Sequence, residues 1–414
     1  MAQVKDARGN NAKNKNWIAK RHTTVRKISG ATLGKIIIRK YNIDVERFSG
    51  SPDRPYLILF NHQTPSDQFF VGISFKQPVY FVASEDIFSN GWISNMLRLL
   101  VAPIPIKKNT GDARAVLTCM KVAAEGGTIA MAPEGNRTYS GRTGFINPSI
   151  IQLIRRLKLP VILYRIEGGY GCEPRWSSDV RKGTMRTYIH SLIEPEEYAA
   201  MSNHELYEKI KEGLYVDENV DSGIFRSNKR AEYIERALYV CPECGLTTFE
   251  SKGNFFKCKK CGRSYEYGSD KRIRGVGNDS RFEFFGEWYD YQNAFVSGID
   301  PSLYVDEPIF RDTADLYSVI LYKKKVKKAR KAQLSLYGDR VEIRGGGTEL
   351  ILPFSELSTV TVLGRNKLNL YYHKDTYQIK GAKSFNALKY VNFYYHYMNL
   401  INGKGDKNGE FLGL

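Results

Sequence analysis

A chain of 414 residues is longer than one ordinary hydrophobic core supports, so two or three domains are expected. Its 42% of hydrophobic residues are ample for globular folding, and no long low-complexity tract is present, which excludes a disordered or fibrous chain. The 62 Lys and Arg against 44 Asp and Glu leave a formal net charge of +18, which favours an anionic partner: nucleic acid, a phosphorylated substrate or an acidic membrane surface.

Residues 1–44 form a basic segment, with ten Lys or Arg and no Asp or Glu from Arg8 to Asn42. MAQVKDARGN lacks the apolar stretch of a secretory signal. Trp17, Ile18, Val25, Ile28, Leu33 and Ile36 approximate a helical stripe with basic residues around it. Such a helix suits a membrane surface, or else packs on the domain that follows; Gly30 and Gly34 weaken a single long helix. No apolar run reaches the ~18–20 residues that cross a bilayer. The expectation is a cytoplasmic protein, peripherally associated with the inner face of a membrane.

Residues 45–240 alternate short apolar runs with helical stretches, which predicts an α/β fold with a mixed, mostly parallel sheet flanked by helices. YLILF (56–60), PVYFVA (78–83), VAPIPI (101–106), GTIAMA (127–132) and PVILYRI (160–166) read as its strands. Ser202 and Glu205 match a capping box opening the helix HELYEKIKEGL, and 228–239 read as one or two further helical turns. Residues 241–275 carry Cys241-Pro-Glu-Cys244 and, thirteen residues on, Cys258-Lys-Lys-Cys261. That is zinc-ribbon spacing: two tight CxxC turns, each followed by Gly245 or Gly262, bring four thiolates around one structural ion. Cys119 and Cys172 stand apart, Cys119 as plain core, and this cysteine usage agrees with a reducing compartment.

Residues 276–314 read as an aromatic, loop-rich linker containing FEFFGEWYDYQNAF. Residues 315–402 read as a β-rich domain, with QLSLYGDRVEI, TELILPF, LSTVTVL, KLNLYY and TYQIKG separated by turn signals and closed by the helix SFNALKYVNFYYHYMNLI; 403–414 form a tail. Strands followed by one terminal helix resemble the pleckstrin-homology superfold in pattern. Seven basic residues between 323 and 331 are then expected on the loop joining its first two strands, where an acidic leaflet adds ~1 kcal/mol per cation.

Chemistry concentrates in NHQTPSD (61–67). Thr64 suits an N-cap, Pro65 the first helical position and Asp67 the third. With His62 on the preceding loop, Asp67 reaches one imidazole nitrogen, sets the tautomer and raises the basicity of the other, as a general base requires. Other polar clusters also follow predicted strands: Lys107 and Lys108, Glu134-Gly135-x-Arg137, and Arg165. The carboxyl ends of parallel strands share one edge, so the base and three cationic sites are expected to converge on a pocket for an anionic, phosphorylated acceptor.

NHxxxxD, an apolar strand with a basic end, PEGxR and a further apolar strand, in that order, resemble the glycerolipid acyltransferases of the lysophosphatidate (1-acylglycerol-3-phosphate) type. The resemblance implies O-acyl transfer from an acyl-CoA or acyl-carrier-protein thioester to a lysophospholipid hydroxyl, giving phosphatidate. His62 is then the base, Asp67 its orienting partner, and Lys107, Lys108, Glu134, Gly135 and Arg137 the substrate-binding residues. Lys108 stands where the family usually has arginine, which keeps the charge but not the bidentate fork. Asn136 and Thr138 replace the commoner Thr and Ser, and Ser84 stands where a lysine is frequent. Two other readings compete. A nucleic-acid-binding protein would use the cysteine module, the positive charge and the 27 tyrosines, but leaves residues 45–240 unexplained. An inactive membrane scaffold would keep the fold without needing both motifs.

Overall fold

The basic stripe folds as two helices, α1 (Lys20–Ala31) and α2 (Leu33–Tyr41), in the computed structural model, which describes residues 16–84, 88, 92–106, 113–319 and 325–402. Asn42, in the left-handed region at φ 47°, ends α2, a conformation that asparagine tolerates better than most residues. Trp17 and Ile18 pack against one face of the following domain and Ile37 and Ile38 against the other, while Ile28, Leu33 and Ile36 remain exposed. One side of the stripe is therefore structural and the other open.

Seven strands build the first sheet. In chain order the elements are β1 (Ile43–Val45), β2 (Leu57–Phe60), α3 (Asp67–Ser74), β3 (Val79–Ser84), α4 (Trp92–Leu100), β4 (Ile104–Ile106), α5 (Ala113–Ala124) and β5 (Thr128–Met131). They continue with α6 (Ile150–Leu157), β6 (Val161–Glu167), α7 (Gly169–Cys172), β7 (Met185–Ile193), α8 (Pro195–Ala199) and α9 (Asn203–Leu214). The sheet order is β1-β7-β6-β2-β5-β3-β4. Strands β2 to β6 are the five legible in the sequence, and all run parallel. Their continuous apolar runs suit burial on both faces. Leu57 and Leu59 point into one hydrophobic layer while Ile58 and Phe60 point into the other. Strands β1 and β7 were not expected. β7 pairs antiparallel to β6 and parallel to β1, and its MRTYIHSLI is buried at Met185, Thr187 and Ile193 and half-buried or exposed at the other positions. The capping box forms as expected: Glu205 N donates to Ser202 Oγ at 3.2 Å and Ser202 N to Glu205 Oε2 at 2.7 Å.

The segment expected to be helical before the first cysteine keeps only a 3₁₀ turn, Ile234–Arg236. The cysteine module adds β8 (Val240–Cys241) and β9 (Gly245–Leu246) as a short hairpin. An antiparallel sheet of β10 (Phe249–Lys252), β11 (Phe255–Cys258), β12 (Ser264–Tyr267) and β13 (Ile273–Val276) follows. The loop-rich linker is a misreading. Residues Phe285–Ser297 form α10, burying Phe285, Trp288, Tyr289, Gln292 and Val296 on one side. That spacing is helical, but aromatic residues and Gly286 have weak helix propensity, and tertiary burial outweighs it.

The C-terminal unit is an antiparallel half-barrel of β14 (Phe310–Val319), β15 (Val326–Leu336), β16 (Arg340–Gly345), β17 (Thr348–Pro353), β18 (Leu357–Leu363), β19 (Lys367–Tyr372) and β20 (Asp375–Gly381). Its order is β17-β16-β15-β14-β20-β19-β18, closed by α11 (Leu388–Ile401). The basic run is not simply a loop. Residues from Val326 onward belong to β15, and Lys327 pairs with Asp315 across the ladder at 2.8 Å; residues 320–324 lie outside the described chain. One continuous core joins the half-barrel, α10 and the cysteine module, and reaches Tyr139, Tyr170 and Trp176 of the first domain. No helix among the described residues is long and apolar enough to cross a membrane.

Candidate active site

His62 leaves the carboxyl end of β2, and Glu134 to Arg137 leave that of β5, its parallel neighbour. Two backbone devices hold the His62 loop to the strands beside it. Asn61 continues the β2–β6 ladder with its side chain, donating from Nδ2 to Ile166 O at 2.8 Å and accepting from Ile166 N at 2.7 Å. On the other flank Thr138 N donates to His62 O at 3.0 Å.

His62 Nδ1 lies 2.7 Å from Asp67 Oδ2, and the Asp67 side chain is fully buried. The same carboxylate accepts from Gln63 N at 2.7 Å, Thr64 N at 3.0 Å and Thr64 Oγ1 at 2.6 Å. This moves the helix start from the expected position. The regular helix α3 begins at Asp67, with Ser66 before it making no side-chain cap bond and Pro65 in the preceding turn, yet the cap contacts expected at Thr64 form: Thr64 Oγ1 accepts from Ser66 N at 3.1 Å and Asp67 Oδ1 from Thr64 N at 3.0 Å. Asp67 reaches back to the Thr64 amide as a capping-box residue does, and to Gln63 N and His62 as well. Its position in the first turn also sets its charge against the positive end of the helix dipole. Such saturation of a buried carboxylate fixes the loop and the imbalance it would otherwise carry. The contact with Asp67 fixes the orientation of the His62 ring through Nδ1.

Glu134 also works through backbone. Its Oε1 accepts from His62 N at 2.7 Å and its Oε2 from Gly144 N at 2.5 Å. Burial pushes its carboxyl up to about 8, against the pull of the Gly144 and His62 amides. Gly135 sits at φ 70°, a left-handed conformation that disfavours any side chain and turns the chain from β5 into the motif. Arg137 is held down to about 10, first by burial and then by repulsion from Arg175.

Sequence reading missed the polar girdle behind the loop. Gln63 accepts from Tyr170 N at 3.2 Å and donates to Glu218 at 3.2 Å. Glu218, buried, pairs with buried Lys271 at 3.3 Å. The cysteine module, which carries Lys271, therefore braces the His62 loop through two side chains. Tyr41 OH lies 2.9 Å from Ser66 Oγ and donates to Glu173. Gln63 lies inside the motif, but Glu218, Lys271, Tyr41 and Glu173 carry no local signal.

The cationic sites do not all converge. Arg165 was expected at the same edge, but it turns to the end of α9, donating to Gly213 O at 2.8 Å and Glu212 O at 2.6 Å. Its side chain satisfies the orphan carbonyls of a helix end. Lys107 and Lys108 lie outside the described residues.

Away from this edge, Cys241, Cys244, Cys258 and Cys261 gather with all four Sγ atoms within 4.8 Å of one another. The closest pairs, 3.5 Å for Cys244–Cys258 and 3.7 Å for Cys241–Cys261, are far beyond disulfide bonding at ~2.05 Å. They approach the ~3.8 Å edge of a tetrahedron with ~2.3 Å metal–sulfur bonds. Gly245 and Gly262, at φ 73° and 77°, let each knuckle turn back. The donor set fits a metal ion. Cys119 is buried in α5, with its thiol pushed up to about 12 by burial.

Residues 41–166, which hold this sheet edge and its motifs, match the family model described as Acyltransferase. Among curated proteins, the chain is 24% identical over 159 residues to the chloroplastic 1-acyl-sn-glycerol-3-phosphate acyltransferase BAT2 of Brassica napus, covering 37% of this chain and 45% of that one. It is 25% identical over 183 residues to the chloroplastic 1-acyl-sn-glycerol-3-phosphate acyltransferase LPAT1 of Arabidopsis thaliana, covering 42% and 49%. The chain thus spans about half the length of the curated relatives it matches. A solved 1-acyl-sn-glycerophosphate acyltransferase, PlsC of Thermotoga maritima, is 20% identical with a TM-score of 0.36, over 47% of this chain and 76% of that one.

Proposed function

We propose that the protein moves a fatty acyl chain from a thioester, acyl-CoA or acyl carrier protein, to the free hydroxyl of 1-acylglycerol-3-phosphate, giving phosphatidate. The observation that carries this is the His62 Nδ1–Asp67 Oδ2 contact of 2.7 Å, at a sheet edge shared with Glu134 and Arg137. His62 Nε2 takes the hydroxyl proton as the oxygen attacks the thioester carbonyl carbon. As the tetrahedral intermediate collapses, the C–S bond breaks and His62 returns the proton to the departing sulfur. Arg137 holds the acceptor phosphate and orients the hydroxyl beside His62. Lys107 and Lys108 retain the substrate-binding role assigned from the sequence. Glu134 and Gly135 act by shape, since the Glu134 side chain fastens the His62 amide.

The acceptor and its product are amphiphiles, and we place the protein at the cytoplasmic face of a membrane. Ile28, Leu33, Ile36, Phe69, Trp92, Met96 and Leu99 on α1 to α4 are exposed, with basic side chains of α1 and α2 among them. The four cysteines hold a structural zinc ion whose coordination is complete without solvent. Acyl transfer to a lysolipid panel, with both donors, tests the reading. Wild type acylates lysophosphatidate, and His62→Ala loses a factor on the order of 10²–10⁴ in kcat while keeping its fold and metal content. Wild-type rates in His62→Ala would overturn it.

A further inference from the structure

The junction between the acyltransferase sheet and the half-barrel holds more positive charge than its partners balance. The turn after β18 places Arg365 against Glu173, to which it donates from Nη2. Glu173, whose other oxygen takes the Tyr41 hydroxyl, is 3% exposed. Arg175, also 3% exposed, donates from Nη1 to Arg137 O at 2.7 Å and from Nη2 to Val362 O at 3.1 Å. Its guanidinium lies 4.3 Å from the Tyr139 ring centroid. Arg137, just after the glycine turn, feels both other arginines and Glu173. Three guanidinium groups thus meet one carboxylate.

Their donors are also unspent. Arg137 Nη1, Arg175 Nε and Arg365 Nε are all buried without a hydrogen-bond partner. A buried cationic donor lacking an acceptor is costly, and native proteins rarely leave several side by side. A phosphomonoester supplies close to two negative charges and three strong acceptor oxygens, which matches this deficit, and guanidinium groups bind it with directional bonds. The location is suitable. The Arg137 segment is hydrogen bonded to His62 through Thr138 N, Tyr41 links Glu173 to Ser66 in the same loop, and Arg365 is one-third exposed, so the cluster reaches solvent.

We propose that Arg137, Arg175 and Arg365 form a cradle for the phosphomonoester of the acceptor, so that the half-barrel completes the acceptor site of the acyltransferase domain. The identity of the ligand rests on the acyl-transfer reading; the anion site itself does not. Arg365 donates across the domain junction, and no sequence motif of the first domain could have supplied it.

The test uses the full chain and two readouts. Thermal unfolding is followed with glycerol 3-phosphate, inorganic phosphate and glycerol, and acyl transfer is measured to lysophosphatidate and to monoacylglycerol. Wild type is expected to be stabilised by glycerol 3-phosphate and not by glycerol. Arg365→Gln weakens that binding about tenfold, the equivalent of one good charge-assisted bond. It raises KM for lysophosphatidate by a similar factor with kcat nearly unchanged, and leaves transfer to monoacylglycerol as in wild type. Should Arg365→Gln fold poorly, Arg365→Lys retains the charge opposite Glu173 but not the fork, and a smaller shift in the same direction is expected. Glu173→Gln removes the competing carboxylate and tightens glycerol 3-phosphate binding. Unchanged glycerol 3-phosphate binding in both Arg365 variants overturns the cradle. So does inorganic phosphate binding as tightly as glycerol 3-phosphate with KM for lysophosphatidate unmoved. If no lysolipid is acylated while glycerol 3-phosphate binding still depends on Arg365, the cradle stands and the acyl-transfer reading falls.

Discussion

Asp67→Asn separates the chemistry of the site from its architecture. The carboxylate accepts from His62 Nδ1, Gln63 N, Thr64 N and Thr64 Oγ1, all at 2.6–3.0 Å. An amide of the same shape has one accepting oxygen and one donating nitrogen, so one side of this donor set loses its acceptor. If the amide nitrogen faces His62, the ring must present an unprotonated Nδ1 and carry its proton on Nε2, where the base is needed. If it faces Thr64, buried amide donors are set against each other. At ~1.5–3 kcal/mol per charge-assisted bond, losing one or two bonds destabilises the fold by about 2–5 kcal/mol. The tautomer error removes much of the general-base contribution, on the order of 10²–10⁴ in kcat. Thr64→Val is the control: it removes the 2.6 Å bond to Asp67 but leaves His62 Nδ1 in contact, so it lowers stability by ~1–2 kcal/mol with kcat within a few-fold of wild type. Initial rates at saturating acceptor and equilibrium denaturation measure both effects. Asp67→Asn turning over within threefold of wild type, or Thr64→Val losing as much kcat as Asp67→Asn, would refute the orienting role.

Three further expectations follow from the same contacts. Glu134, raised to about 8 by burial, holds its proton in the native state at pH values where the unfolded chain has released it. It therefore contributes a fall in stability as pH rises from about 4.5 to about 8, at most ~1.4 kcal/mol per pH unit; Glu134→Gln should flatten the wild-type slope, and identical slopes would contradict the assignment. Cys258→Ser leaves three thiolates for the metal, so metal analysis should fall from about one zinc per chain to well below it, with loss of thermal stability; zinc retained at full stoichiometry would exclude the four-cysteine site. Exchanging exposed Ile28, Leu33 and Ile36 for serine removes about 1.5–3 kcal/mol of apolar transfer energy each; binding to acidic phospholipid vesicles should drop sharply, and unchanged sedimentation would remove α1 and α2 as the contact.

Local pattern carried most of the first sheet. Continuous apolar runs bounded by turns mark β2 to β6 because strands buried on both faces can hold little else, and Ser202 with Glu205 signals its helix because a capping box is a contact between near neighbours. The four cysteines likewise need only spacing to be seen as one site. His62 and Asp67 sit five residues apart, so the loop that brings them together is written in the same short stretch.

Long-range packing decided the remainder, for the physical reason that nothing nearby in the chain signals it. Strand β7, half open and polar, is a strand because β6 and β1 pair with it. Helix α10 forms because Trp288 and Phe285 are wanted in the core that joins three units, against weak intrinsic propensity. Arg165 looked like part of the phosphate edge, yet alternation along β6 aims it at the carbonyls ending α9. Arg175 and Arg365, separated by 190 residues of chain, read as an ordinary loop residue and a turn residue. Only folding brings their charges beside Arg137 around a single carboxylate, and the surplus positive charge there exists in the tertiary structure alone.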